Sequence, residues 1–161
     1  MLNFAPRDHA WIAAHVPHQG SMCLLNSVLA WDQLKVQCDA ISHRDSTNPL
    51  RAHGRLGAVC GIEYAAQAMA LHGALLAGPS LAPPRAGYLV SVRSTTLHVA
   101  RLGDIAADLW IEASCLTASP HQSLYRIQLR PAGPLALAGP RAGVPHRTPP
   151  PPRHILRYPA L

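Results

Sequence analysis

Residues 57–78 read GAVCGIEYAAQAMALHGALLAG, and this stretch decides the fold. Alanine and leucine, the strongest helix formers, dominate it, and Gly78-Pro79 supplies a stop. The spacing predicts one helix over about twenty residues. It is apolar almost all round, and a helix of that kind is stable only when other elements surround it. One acid, Glu63, sits inside it, with Gln67 four residues on along the same helical face.

Outward from the helix, the flanking text reads as strands. On the N-terminal side, 22–31 is a continuous apolar run and 35–42 alternates polar and apolar, after a short helix at about 8–14. On the C-terminal side, 87–99, 107–116 and 123–130 are rich in Val, Ile, Leu, Tyr, Trp and Thr. The short links between the last three require antiparallel pairing, because parallel strands need long crossovers. The expected class is therefore α+β, an antiparallel sheet wrapped around one long central helix.

Length and composition bound the rest. A chain of 161 residues, 48% apolar, fits one domain with a single core. The formal charge of +6 is uneven: eight basic residues balance eight acids up to Glu112, and six arginines with no acid follow. Excess positive charge favours acidic partners in general, but no basic cluster interleaves with aromatics, so a nucleic-acid partner is not expected. Cys23, Cys38, Cys60 and Cys115 are scattered, and no signal segment opens the chain. They read as reduced thiols in a cytoplasmic protein. The longest apolar stretch is interrupted by Glu63, Gln67 and His72, which argues against a membrane span. Nine of the sixteen prolines lie from Pro131 onward, so a domain over 1–144 and an extended or disordered proline-rich tail over 145–161 are expected, with a short edge strand at 135–138.

Chemistry narrows to a few positions. Glu63 and Glu112 are the only glutamates; Glu112 reads as a solvent-facing strand residue, whereas Glu63 on so apolar a helix reads as desolvated, with its carboxyl pKa raised toward the general-acid range. The amide of Gln67 is placed to orient that carboxyl group. Of ten histidines, His18 has the best local case, held between Pro17 and Gly20 at the mouth of the first apolar strand. His43 and His53 lie in the loop before the helix, and His72 reads as a hydrogen-bonded core residue. Gly61, near the helix start, permits a ligand to approach backbone N–H groups, or serves only packing. No His or Cys spacing suggests a metal, and no serine stands in a nucleophile elbow.

Three blocks then resemble a family. Pro17-His18-Gln19-Gly20-Ser21-Met22-Cys23-Leu24-Leu25, the pair His43-Arg44-Asp45 and Asn48-Pro49-Leu50, and Cys60-Gly61-Ile62-Glu63-Tyr64-Ala65-Ala66-Gln67 are similar to the ApeP-like 3-hydroxyacyl-carrier-protein dehydratases of aryl-polyene and related polyketide or fatty-acid clusters. The resemblance implies a hotdog fold, a dimer, and elimination of water from a 3-hydroxyacyl thioester on the phosphopantetheine of an acyl carrier protein, with no cofactor. It implies His18 as base, Glu63 as acid, and Gly61 and Gln67 as substrate-binding groups, with His53 the alternative base. A homodimer or a mixed dimer with a second dehydratase subunit fits equally. Two other readings remain open: a non-catalytic partner subunit and a hotdog thioesterase.

Overall fold

In the computed structural model, residues 1–78, 89, 91–119, 122–133 and 155–158 are described. Helix α1 spans His9–His15, capped by the Asp8 carboxylate, which accepts from the Trp11 N–H at 2.9 Å. Strands β1 (Ser27–Trp31) and β2 (Lys35–Ala40) form a hairpin. Asp32 fixes its turn by accepting from the N–H groups of Leu34 and Lys35. Helix α2 runs Gly61–Ala77 behind a 3-10 turn at Ala58–Cys60, and ends where Gly78 adopts a positive φ of 70°. Strands β3 (Ser91–Arg93), β4 (Leu109–Ala118), β5 (Ser123–Pro131) and β6 (Ile155–Tyr158) follow.

The six strands form one sheet in the order β1-β2-β4-β5-β6-β3, every pairing antiparallel. Helix α2 packs on its middle, against β2, β4 and β5. Alternation decides which side chains meet it. Val36, Cys38 and Ala40 of β2 and Leu109, Ile111 and Ala113 of β4 are buried, together with Tyr64, Ala65, Ala68, Met69 and Leu71 of the helix. At the usual return of about 25 cal/mol per Å2 of apolar surface, this seam is the main stabilising feature of the fold. Sequence and structure agree on an α+β architecture with one long helix.

The boundaries differ in three places. The run 22–31 is not one strand: Gly20, with φ 58°, opens a 3-10 turn over Gly20–Met22, and pairing begins only at Ser27. Of the segment 87–99, residues 87, 88 and 90 lie outside the described residues; strand is present over Ser91–Arg93, and Ser94 turns away with φ 54°. In the segment read as a tail from Pro145, Ile155–Tyr158 is strand β6, paired with β5 on one side and β3 on the other. The edge strand expected at 135–138 lies outside the described residues, as do 81–86, 145–154 and 159–161.

No helix among the described residues is long and apolar enough to cross a membrane. All four cysteines are free thiols. Burial pushes the Cys38 thiol far up, so it stays protonated and unreactive.

Candidate functional site

Glu63 lies in the first turn of α2, and its carboxylate meets the His18 imidazole: Nε2 to Oε1 is 3.1 Å. Both groups come from one chain, though 45 residues separate them in sequence. The pair is partly open, with side-chain exposures of 24% for His18 and 33% for Glu63. His53 is exposed in the tight turn at 52–55 with φ 51°, so of the two candidate bases it is His18 that stands at Glu63.

Electrostatics at Glu63 run opposite to the sequence expectation. Its pKa is lowered, first by the hydrogen bond from His18 and further by the bond from Gln67, and together these outweigh desolvation. An apolar helix raises a carboxyl pKa only when nothing donates to the carboxylate; here two donors do. Glu63 is therefore ionised through the neutral range. With Nε2–H given to Glu63, a neutral His18 keeps its lone pair on Nδ1. That atom is shielded from solvent and has no hydrogen-bond partner among the described residues.

Gln67 has no exposed surface, and each of its polar positions is taken. Its Nε2 donates to Glu63 Oε1 at 3.2 Å and to the Met22 carbonyl at 2.8 Å, while its Oε1 accepts the Leu24 N–H at 2.9 Å. It thus touches the acid and the segment that follows His18. This placement supports orientation of Glu63 rather than contact with a ligand.

Gly61 is placed elsewhere. Two residues apart on an α-helix means roughly 200° of rotation, so Gly61 and Glu63 stand on nearly opposite faces. The Gly61 N–H points back to the Ala58 and Val59 carbonyls and is committed within the turn. On its face lies a cavity of about 350 Å3, lined mostly by apolar side chains including Ile62, Ala65, Leu102, Ile127 and Leu129; neither His18 nor Glu63 lines it.

The other marked residues are structural. His43 is buried and donates Nε2–H to the carbonyls of Ile105 and Ala107. His72 bridges the Tyr125 hydroxyl and the Asp32 carbonyl, at 2.9 and 2.8 Å, as expected of a core histidine. Burial lowers the pKa of both. Glu112 is not solvent-facing: Lys35, Gln37 and Ser114 all donate to its carboxylate, and its side chain is 16% exposed. No cluster of three or more metal-ligating side chains occurs among the described residues.

Sequence reasoning missed a buried polar group next to the pair. The Tyr64 hydroxyl, on the residue after Glu63, is 2.9 Å from Ser42 Oγ and 3.0 Å from Asn48 Nδ2. A tyrosine in so apolar a helix was the available signal, since a buried hydroxyl must find partners.

No curated protein matches the chain. Among solved structures, it is similar to the dehydratase heterocomplex ApeI:P from Xenorhabdus doucetiae. The TM-score is 0.72 and the identity 19%, over 93% of this chain and 90% of that one. At that identity the likeness is one of fold. The model of the ApeP-like family, the ApeP dehydratases, matches residues 10–139. The chain belongs to the ApeP-like family of dehydratases.

Proposed function

We propose that this dehydratase removes water from a 3-hydroxyacyl thioester presented on the phosphopantetheine arm of an acyl carrier protein, as in aryl-polyene, polyketide or fatty-acid synthesis. The observation that carries the reading is the 3.1 Å contact between His18 and Glu63. A base and an acid side by side are what a β-elimination from a thioester needs.

Proton flow follows from the pair's polarity. His18 takes the α-proton; the C–H electrons form the new double bond as the β C–O bond breaks. The proton shared across the His18–Glu63 contact moves to Glu63, and Glu63 delivers it to the departing hydroxyl, which leaves as water. The ionised resting carboxylate is thus charged with its proton during the reaction, not before it. Nδ1 is the nitrogen left to accept a proton, and its shielding keeps water from competing. A substrate must open that side of the ring to reach it.

The antiparallel sheet packed on one long helix supports a hotdog fold, and the four free thiols suit a protein of the cytoplasm. The similar solved structure, ApeI:P, is a heterocomplex of dehydratases, which favours a mixed dimer with a second dehydratase subunit over a chain acting alone. Each chain of this protein carries both His18 and Glu63, which supports chemistry within one subunit of such a dimer. The test is the product formed from a 3-hydroxyacyl-carrier-protein, with the chain alone and mixed with a second dehydratase subunit. Enoyl thioester, lost in His18→Ala and Glu63→Gln, is the expected outcome. Free acid would make the protein a thioesterase, and turnover seen only in the mixture and undiminished by either variant would make it a non-catalytic subunit.

A further inference from the structure

The segment that carries His18 toward the helix is held by side chains instead of by a strand partner. Leu24 is the clearest case. Its N–H is taken by Gln67 Oε1 and its carbonyl accepts from Ser42 Oγ at 2.7 Å. Both ties lead back to α2, one directly and the other through Tyr64.

Hydrogen-bond counting fixes the direction of the second tie. Ser42 has one hydroxyl proton, and the Leu24 carbonyl can only accept, so that proton goes to Leu24. The 2.9 Å contact between Ser42 and Tyr64 must then be donated by Tyr64. Tyr64 in turn accepts from Asn48 Nδ2 at 3.0 Å, and the same amide donates to the Ser42 carbonyl at 2.8 Å. The chain runs one way: Asn48 to Tyr64 to Ser42 to the Leu24 carbonyl. Tyr64 has no exposed surface and Asn48 is 5% exposed. Burial raises the Tyr64 pKa, which keeps its proton in place as donor. A buried polar chain of this sort is costly unless every member is satisfied, and when satisfied it specifies one geometry.

We propose that Tyr64, with Ser42 and Asn48, is a positioning group that sets where the His18 turn stands over Glu63. The geometry is a clamp on the backbone of Leu24, across the two peptide groups that flank it: Gln67 holds its N–H and Ser42 holds its C=O. Glu63 and Tyr64 are consecutive on the helix, so acid and clamp share one rigid element. Releasing the carbonyl side lets the 18–24 segment drift and lengthens the 3.1 Å contact. The expected consequence for catalysis rests on the dehydratase reading above; the consequence for the pair's geometry does not.

The test uses Tyr64→Phe, Ser42→Ala and Ser42→Thr in the full chain. Phe keeps the ring and removes the hydroxyl, and Thr keeps the hydroxyl that Ala removes. Two readouts are followed: steady-state turnover of the 3-hydroxyacyl thioester, and titration of the Glu63 carboxylate by carbon NMR. The clamp predicts that Tyr64→Phe and Ser42→Ala lower kcat by roughly ten- to a hundred-fold with KM little changed, the loss expected of a misplacement near 1 Å. It also predicts that the Glu63 midpoint moves upward as the bond from His18 weakens, and that Ser42→Thr restores both. A lower melting temperature with an unmoved Glu63 midpoint would reduce the cluster to ordinary core packing and overturn the proposal. If Tyr64→Phe does not fold, the Ser42 variants carry the test, because Ser42 is only half-buried. If the wild-type protein shows no dehydration, the Glu63 titration still decides the clamp, and only the reading of function fails.

Discussion

The two faces of helix α2 differ in kind. One face carries Glu63 and Gln67, tied to His18, Met22 and Leu24 by directed hydrogen bonds. The other carries Gly61, Ile62 and Ala65 against an apolar cavity. The same apolar run thus serves as a site wall on one side and as a lining on the other. Apolar composition fixes burial, but only partners fix chemistry: burial alone argued for a protonated Glu63, and the two donors on its face make it an anion.

The largest break of this contrast is to remove the polar pair. His18→Ala and Glu63→Gln should each lower dehydration by about 10²- to 10⁴-fold while leaving the circular dichroism of the fold intact. Equal loss from variants on the cavity face would erase the distinction between the faces.

Next in size is Gln67→Leu. It leaves the Leu24 N–H and the Met22 carbonyl without their side-chain partner, so stability should fall by about 1–3 kcal/mol, measured by urea unfolding. The Glu63 midpoint should rise at the same time, since one of its two donors is gone. An unchanged midpoint would mean that His18 alone holds the carboxylate.

A pH series sharpens the comparison further. The lowered Glu63 pKa means that its contribution to stability is present above the ordinary carboxyl pKa and is lost as pH falls through the lowered one. His72 and His43 act in a higher window. Their folded pKa values lie below the ordinary imidazole value, so the unfolded chain binds protons first as pH drops below about 6.5, and stability declines. Melting temperature should therefore fall in two stages on acidification. His18→Ala should remove part of the second stage and leave the first.

The smallest effect expected is Gly61→Ala. A Cβ there would meet Leu129 Cδ1 at 3.4 Å and Leu102 Cδ1 at 3.7 Å, close to ordinary contact, and the backbone is helical. Stability should rise by about 0.4–1 kcal/mol, read from the unfolding midpoint. A marked loss of dehydration in this variant would bring the cavity face into the site.

Much of this was legible in the sequence, and for physical reasons. Helix α2 announced itself by composition and a stop signal, and strands β2, β4 and β5 by alternation and short links. Glu63 stood out as the one acid on an apolar helix, and His18 through a turn that fixes its direction. The division of the helix into two faces was hidden, because a run apolar on all sides carries no periodic contrast. The clamp was hidden too: Ser42, Asn48 and Tyr64 lie 6 to 22 residues apart, and hydroxyl and amide groups give no pattern until the fold brings them together. Strand β6 was obscured by the proline-rich text around it, although Ile155–Tyr158 itself contains no proline.

The central claim is that His18 and Glu63 act as one unit. A double-mutant cycle on kcat/KM for dehydration of a 3-hydroxyacyl thioester tests it most directly, with His18→Ala, Glu63→Gln and the double variant measured side by side. Groups that act as a unit are strongly non-additive, so the double variant should be no slower than the slower single variant. Losses that multiply across the cycle would mean that the two residues work independently, and would contradict the account.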